Sequence, residues 1–294
     1  MSIVAFSPKA ATVVFAPAKV NLSLQVVGRR SDGYHLLDSL VVFAGVGDTL
    51  KFAPSDDLIM RIDGPTAVGL ADAPDNIVLK AAHRLADAAG IRPRAAVTLT
   101  KRLPVAAGIG GGSADGAAAL RGLCALWRLV ADEDRLSRIG LGLGADVPVC
   151  LRCRPTRMTG VGEVLFAAPA LPPAWLVLVN PGVAVSTPEV FKTRQGAFSA
   201  PAPLDTTPAD APALAEALKT RPNDLTAPAI RLQPVIRDVL AAIDTCRGCL
   251  LARMSGSGAT CFGLFADETA ARASATALSA RQPGWWIAAA QMLG

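Results

Sequence analysis

Four glycines near the middle of the chain constrain its fold more than any other feature. They lie in the segment Leu103-Pro-Val-Ala-Ala-Gly-Ile-Gly-Gly-Gly-Ser113, which follows the strand-like run Ala96 to Thr100 and precedes an Ala-rich run typical of a helix. Glycine adopts positive φ without strain, and a helix N-terminus directs free amide N–H groups at a bound anion. The segment therefore predicts a polyphosphate-binding loop between a strand and a helix, with Ser113 as the helix N-cap.

Other phosphate and catalytic motifs fit this chain poorly. It has no Gly-Lys dipeptide, which the P-loop requires. A dinucleotide fingerprint needs Gly or Ala where Ser113 stands. A hydrolase nucleophile elbow needs glycine two residues before its serine, and Ser255 stands at that place before Ser257. We therefore interpret the glycine loop as the phosphate-binding loop of a kinase.

Length and charge narrow the class of protein further. At 294 residues the chain is long enough for two lobes. Its 29 Lys and Arg against 24 Asp and Glu give a net charge of +5 that is spread along the chain, which favours a small anionic substrate over nucleic acid. Prolines interrupt the longest uncharged segment, residues 166–188, so we expect no membrane contact and a cytoplasmic protein.

Six cysteines include two CxxC pairs, Cys150 with Cys153 and Cys246 with Cys249. Nearly a hundred residues separate the pairs, whereas zinc ribbons place about 15 to 20 residues between them. We interpret the six as reduced thiols, and zinc binding stays the alternative that elemental analysis would reveal.

Residues 19–26 alternate as a half-buried strand does, with Lys19 and Asn21 on the polar face. That face suits either the wall of a site or ordinary solvent. Two further strands are predicted at 36–44 and 49–53, with Asp48 in the break between them, and residues 196–213 are predicted to form a surface loop. Strands and helices alternate beyond residue 158 as well, which predicts a two-lobed protein of mixed α and β structure.

Five motifs together resemble one family. Pro17-Ala-Lys-Val-Asn21, the loop from Pro104 to Ser113, and Met254-Ser-Gly-Ser-Gly-Ala-Thr260 are similar, in order and separation, to the three motifs of the GHMP kinases. Gly28-Arg-Arg-Ser-Asp-Gly-Tyr-His35 and Gly144-Ala-Asp-Val-Pro148 resemble the members that act on cytidylyl-methylerythritol. The similarity runs from about residue 13 to residue 265.

The resemblance implies an α+β, two-lobed GHMP kinase fold. Residues 1–157 would form an ATP-binding lobe like ribosomal protein S5 domain 2, and residues 158–294 a ferredoxin-like lobe on the substrate side, whose last strand can return to the first lobe. The implied partners are small molecules, and monomer and homodimer both stay open.

The implied reaction transfers the γ-phosphoryl group of ATP, with Mg²⁺, to the 2-hydroxyl of the methylerythritol unit. By resemblance Asp146 accepts or orients the hydroxyl proton, while Lys19 lies beside it and neutralises charge on the moving phosphoryl group. Positioned charge is what a loose phosphoryl-transfer transition state needs. The alternative for Asp146 is a plain helix N-cap.

Substrate contacts are implied on the other side of the site. Tyr34 and Phe191 would sandwich the cytosine while His35 bonds its edge, although Phe191 could also be a core residue of an amphipathic helix. Asn21 would lie near the erythritol hydroxyls or the diphosphate. The third motif would bring Ser255 and Gly256 close to the substrate.

On the ATP side, Asn76 and Lys101 map to the adenosine pocket. Phosphate contacts map to Pro104, Gly108, Gly110, Gly111, Gly112 and Ser113. Ser113 is also the expected Mg²⁺ contact, but no carboxylate ligand is evident in the sequence and the metal site stays unassigned. The chain departs from the family at Ala106-Ala107, where glycines are common, and at Ala114 and Gly116, which put one phosphate contact in doubt.

Two other functions stay open at this point. One is a GHMP kinase for another small alcohol, such as homoserine or mevalonate, which would leave Tyr34 and His35 without a base to stack on. The other is a nucleotide-binding protein without phosphotransfer, which would have no use for Lys19 beside Asp146.

Overall fold

The computed structural model describes residues 11–67, 70 and 75–294, and the bounds that follow refer to this part of the chain. The strands are β1 (Thr12–Arg29), β2 (His35–Ala53), β3 (Leu58–Asp63), β4 (Ala95–Thr100), β5 (Thr156–Gly160), β6 (Val164–Ala167), β7 (Trp175–Asn180), β8 (Leu251–Met254), β9 (Cys261–Phe265) and β10 (Trp286–Leu293). The helices are α1 (Ile77–Ala89), α2 (Gly111–Trp127), α3 (Glu133–Leu141), α4 (Val147–Arg152), α5 (Thr187–Lys192), α6 (Ala211–Lys219), α7 (Thr226–Leu232), α8 (Val235–Asp244) and α9 (Glu268–Arg281).

The long strand β2 organises the sheet. It pairs with β1 along its whole length, while β5, β10 and β4 pair in turn with its other edge. We predicted two strands separated at Asp48, and that prediction was wrong. Asp48 is fully buried within β2, and its carboxylate accepts hydrogen bonds from the backbone N–H groups of Arg102 and Leu103. A buried charge with such partners does not need a turn.

The described strands form one mixed sheet with the order β3-β4-β2-β10-β7-β9-β8, to which β1, β5 and β6 add through β2. The last strand, β10, pairs antiparallel with β7 and also contacts β2 through Met292 opposite Ala44. It therefore bridges the amino-terminal and carboxy-terminal parts of the sheet. The mixed α and β class predicted from sequence is confirmed, and the boundary near residue 158 stays a prediction.

Helix α2 packs on β1 and β2 because small residues let it come close. Gly122 leaves no room for a side chain, since a Cβ atom there would lie 2.1 Å from Cε2 of Phe52. Gly116 faces Ile77 of α1, where a Cβ atom would approach the isoleucine to 3.1 Å. The Gly116 departure thus accompanies close packing of α1 on α2.

Two local predictions require correction. Gly110, with φ 62°, is the N-cap of α2, and Ser113 is the third residue of that helix rather than its cap. Helix α6 begins at Ala211, inside the segment predicted as loop, because Asp210 caps it by accepting a hydrogen bond from the Ala213 N–H group. The proline-rich residues before Asp210 conceal this start in the sequence.

Among the helices of the described residues, none combines the length and the apolar character that crossing a bilayer requires.

Candidate active site

Three adjoining cavities run across the face where the glycine loop meets the sheet. The loop cavity, about 400 Å³, is lined by the glycine loop together with Asn76 and Lys101. The central cavity, about 330 Å³, shares Gly108 and Ser113 with it. The outer cavity, about 790 Å³, shares Thr187 and Phe191 with the central one. A ligand extended along this line could reach all three.

Lys19 and Asp146 meet in the central cavity. Lys19 lies on β1 and Asp146 directly precedes α4, yet Nζ and Oδ2 are 2.8 Å apart. The Lys19 side chain is buried, whereas the Asp146 side chain is 35% exposed and therefore accessible from the cavity. Asp146 makes no side-chain capping bond to α4, so the plain helix-cap role is not the one observed.

The glycine loop is interlocked with the turn that follows β8. Gly108 has φ 72°, and a Cβ atom there would lie 2.4 Å from the Gly258 carbonyl oxygen. Ser255 Oγ donates to the Gly108 carbonyl, and the Lys19 N–H donates to the Ile109 carbonyl at 2.9 Å. The first, second and third sequence motifs are thus in direct contact.

Ala106 adopts φ 52°, the left-handed region that glycine enters freely. A residue with a Cβ atom pays roughly 1–2 kcal/mol for that conformation. The chain therefore keeps the backbone shape of the glycine-rich loop even where its sequence departs from glycine.

Lys101 is buried beneath the loop between two carboxylates. Its Nζ donates to Asp48 and, at 2.7 Å, to Asp115 Oδ2. The predicted adenosine contact thus lines the loop cavity, but its charge is already neutralised. Although burial lowers the pKa of Lys101, Asp115 and Asp48 outweigh it and raise that pKa. Sequence reasoning did not assign a role to Asp115. The residue lies between Ala114 and Gly116, where the chain departs from the family pattern, and this position could have drawn attention to it.

Burial of the ionised Asp115 carboxylate costs free energy that its ion pair with Lys101 does not fully offset. Burial raises the pKa of its carboxyl to about 7, against the opposing effect of Lys101. Its second oxygen, Oδ1, is buried and has no hydrogen-bond partner. One lysine is therefore shared by two carboxylates, and the second carboxylate is poorly compensated.

Asn76 and Asn21 use their amides differently. Asn76 caps α1, because its Oδ1 accepts from the Val78 N–H at 2.9 Å, and this capping bond leaves its amide nitrogen as a donor for a ligand. Asn21 donates from Nδ2 to Ser39 Oγ, which itself donates to the Ser23 carbonyl. This chain of donors fixes Asn21 Oδ1 as an acceptor, and that oxygen is buried without a partner beside the central cavity.

The outer cavity is built from exposed aromatic and basic side chains. Tyr34 is 65% exposed, and the His35 ring stacks on Phe191 with centroids 5.1 Å apart and planes 22° apart. Phe191 also packs against the core beneath α5, as the core-residue alternative expects, and its contact with a base stays a prediction. Sequence reasoning missed three basic side chains that line this cavity, those of Arg29, Lys192 and Arg194.

The third motif contributes Gly256 and Ser257 to the central cavity, whereas Ser255 is fully buried behind them. Ser257 Oγ lies 2.7 Å from Thr187 Oγ1, which joins this turn to the start of α5. Thr187 and Ser257 were not assigned from the sequence, although Ser257 stands inside the third motif.

All six cysteines are free thiols, and burial raises the pKa of Cys150 above its ordinary range. Within the part of the chain that the structure describes, no three His, Cys, Asp or Glu side chains come together as a metal site would require.

Comparison with known proteins agrees with this geometry. The model of the GHMP kinases N terminal domain matches residues 76–154, and the GHMP kinases C terminal model matches residues 209–284. The chain belongs to the GHMP kinase family and has its fold; it is a kinase for which ATP is the co-substrate.

Particular relatives are similar over nearly the whole chain. The 4-diphosphocytidyl-2-C-methyl-D-erythritol kinase of Paramagnetospirillum magneticum is 63% identical over 278 residues, covering 95% of this chain and 97% of that protein. The enzyme of the same name from Rhodospirillum rubrum is 56% identical, covering 98% and 95%. A crystal structure of 4-(cytidine 5'-diphospho)-2C-methyl-D-erythritol kinase superposes with a TM-score of 0.81 at 36% identity, covering 96% of this chain and 100% of that one.

Proposed function

We propose that this chain transfers the γ-phosphoryl group of ATP to the 2-hydroxyl of 4-diphosphocytidyl-2-C-methyl-D-erythritol. The observation that carries the proposal is the Lys19–Asp146 pair, 2.8 Å apart, in a central cavity between a glycine-loop cavity and an aromatic one. Relatives that bear the name of this kinase, at 63% and 56% identity, support it.

ATP would occupy the loop cavity with its terminal phosphate toward Ser113, which also lines the central cavity. The first turn of α2 offers free backbone N–H groups to the phosphates, and its glycines let them approach closely. Gly110, Gly111 and Gly112 are the residues from which we expect these contacts.

In the transfer step, the bond between the γ-phosphorus and the bridging oxygen of ADP breaks while a bond to the substrate 2-oxygen forms. Asp146 would accept the hydroxyl proton, and Lys19 would stabilise charge on the transferring group. Mg²⁺ bound with ATP would find the Ser113 hydroxyl and the Asp146 carboxylate on the same cavity, and these are the residues that would hold it. Such an ion would neutralise phosphate charge.

Asn21 is suited to bind a hydroxyl group of the substrate. A buried acceptor without a partner is costly, and a hydroxyl can donate to it whereas a diphosphate cannot. The orphaned Asn21 Oδ1 therefore favours the erythritol hydroxyls over the diphosphate as its ligand.

The base end suits cytosine. Because the His35 ring is within 22° of parallel to Phe191, a base stacked on the same phenyl face would meet His35 edge to edge. Tyr34, exposed on the same cavity, could cover the other face of the base. Base stacking on an aromatic side chain is worth about 1–3 kcal/mol.

Coupled ADP release with purified protein tests the proposal. We expect turnover of the cytidylyl substrate and at least about 100-fold lower kcat/KM for homoserine and mevalonate, as loss of base stacking and diphosphate contacts requires. Comparable turnover of either small alcohol would contradict the proposed substrate. ATP binding without turnover of any alcohol would contradict phosphotransfer itself.

A further inference from the structure

A row of rings and one guanidinium continues outward from the base end of the outer cavity. His35 stacks on Phe191, Phe198 meets His35 edge-on at 6.5 Å with planes 64° apart, and Arg194 Cζ lies 5.2 Å from the Phe198 ring centroid. No sequence motif pointed to Arg194 or Phe198.

The segment that carries Phe198 is held on both sides of that residue. After it, the Ser199 N–H donates to the Val26 carbonyl at 3.0 Å and Ser199 Oγ donates to Asp224. Before it, the Arg194 guanidinium donates to the Gly196 and Ala197 carbonyls. The backbone therefore fixes the position of Phe198 independently of its ring.

Burial alone does not account for the ring, because Phe198 remains 49% exposed. What the ring does contact is the imidazole of His35 and the guanidinium of Arg194. An edge-on ring restricts the rotation of its neighbour, and a cation over a ring face adds about 0.5–1 kcal/mol at exposed sites. The His35 ring therefore has two aromatic neighbours, Phe191 stacked on it and Phe198 edge-on to it.

We propose that Arg194 and Phe198 are positioning residues that hold His35 in the plane where it reads the edge of the pyrimidine base. This inference rests on the proposed function. Loss of either residue should leave phosphoryl transfer intact, because neither lines the central cavity that contains Lys19 and Asp146. It should weaken recognition of the base edge.

Discrimination between CDP and UDP separates positioning from general packing. The two bases stack similarly but differ in the hydrogen bonds that their edges offer. Isothermal titration of each diphosphate into the whole protein gives the ratio of the two Kd values. We expect Phe198→Ala to reduce this ratio about fivefold or more, about 1 kcal/mol, and Phe198→Tyr to restore it.

Phe166→Ala is the matched control. Phe166 is a similarly exposed phenylalanine with Arg157 Cζ 6.0 Å from its ring, but it lies on β6, and its partner is Arg157 of β5 rather than His35. It should leave the CDP-to-UDP ratio unchanged. In the kinase assay, Phe198→Ala and Arg194→Gln should raise KM for the cytidylyl substrate with kcat within about twofold, as expected when only binding is lost.

The outcomes distinguish this inference from the proposed function. If Phe198→Ala weakens CDP and UDP equally, or weakens neither, the positioning role is wrong even though the wild type prefers CDP. If the wild type itself does not prefer CDP over UDP, the proposed cytidylyl substrate is wrong. The positioning role of Phe198, which rests on that substrate, then fails with it.

Discussion

The loop cavity and the outer cavity are lined by different parts of the protein. The loop cavity is made largely of backbone, where Gly108 fits against Gly258 without room for a Cβ atom and Lys101 is locked between Asp48 and Asp115. The outer cavity is made of side chains that reach into solvent, above all Tyr34. Backbone amides recognise phosphates that all members of a kinase family share, whereas exposed side chains can change without disturbing the fold.

The ion pair between the two cavities should give the largest effect. We expect Asp146→Asn to lower kcat by about 10²–10⁴-fold, the usual contribution of a general base, with little change in ATP affinity. Steady-state kinetics and ATP titration measure the two quantities. Asp267→Asn, at the N-cap of α9, is the matched control and should leave kcat unchanged. A decrease in kcat of less than about tenfold would show that Asp146 is not the general base.

The backbone character of the loop cavity can be broken at Gly108. Gly108→Ala would add both a strained φ and a clash with the Gly258 carbonyl, so we expect it to destabilise the fold by about 2 kcal/mol or more and to weaken ATP binding. Gly90→Ala is the matched control, because Gly90 has a similar positive φ, 65° against 72°, with open space around it, and the change should cost only about 1 kcal/mol. If chemical denaturation shows that both variants lose the same free energy of unfolding, the close contact of Gly108 with Gly258 does not contribute to stability.

The side-chain character of the outer cavity can be tested at Tyr34. Removing its ring should raise KM for the cytidylyl substrate about 5- to 100-fold, in line with the energy of one stacked base, while kcat and thermal stability hold. The 65% exposure of Tyr34 explains why stability should not change. Unchanged KM for Tyr34→Ala would refute the stacking role.

The buried carboxylates under the loop predict a smaller, pH-dependent effect. Burial raises the pKa of Asp115 to about 7, above its value of about 3.9 in an unfolded chain. The native state therefore binds this proton more tightly, and the contribution of Asp115 to stability is present below pH 4 and is lost as the pH rises toward 7. Asp115→Asn should flatten that decline in thermal melts between pH 4 and pH 7. A variant with the same pH slope as the wild type would show that Asp115 stays ionised throughout.

Motif order and glycine placement were enough to predict much of the nucleotide end. The strand before the glycine loop, the helix after it and the closeness of Lys19 to Asp146 all follow from short patterns or from family resemblance, and the structure has them. Base-end roles of Tyr34, His35 and Phe191 were inferred in the same way and stay predictions. Local patterns suffice here because the chemistry depends on residues inside the motifs.

Other features could not be predicted because distant segments create them. Asp48 looked like a strand break, since the backbone N–H groups that satisfy it belong to residues more than fifty positions away. Ser255 and Ser257 are equivalent in the sequence, and only the packing of their turn against Gly108 buries one and leaves the other on the central cavity. Arg194 and Phe198 stand in a segment without periodic pattern.

By itself, the amino-acid sequence determined the class of fold and the glycine loop between a strand and a helix, because glycine conformation and hydrophobic periodicity are local properties of the chain. The pairing of Lys19 with Asp146 came from family resemblance, and the structure has it. The tertiary structure decided which polar groups are satisfied, which face a cavity and which stay unpaired. Lys101 illustrates the difference: its sequence position suggested a nucleotide contact, and the fold surrounds it with Asp48 and Asp115. Burial and pairing depend on residues that meet only when the chain folds, and no local pattern records them.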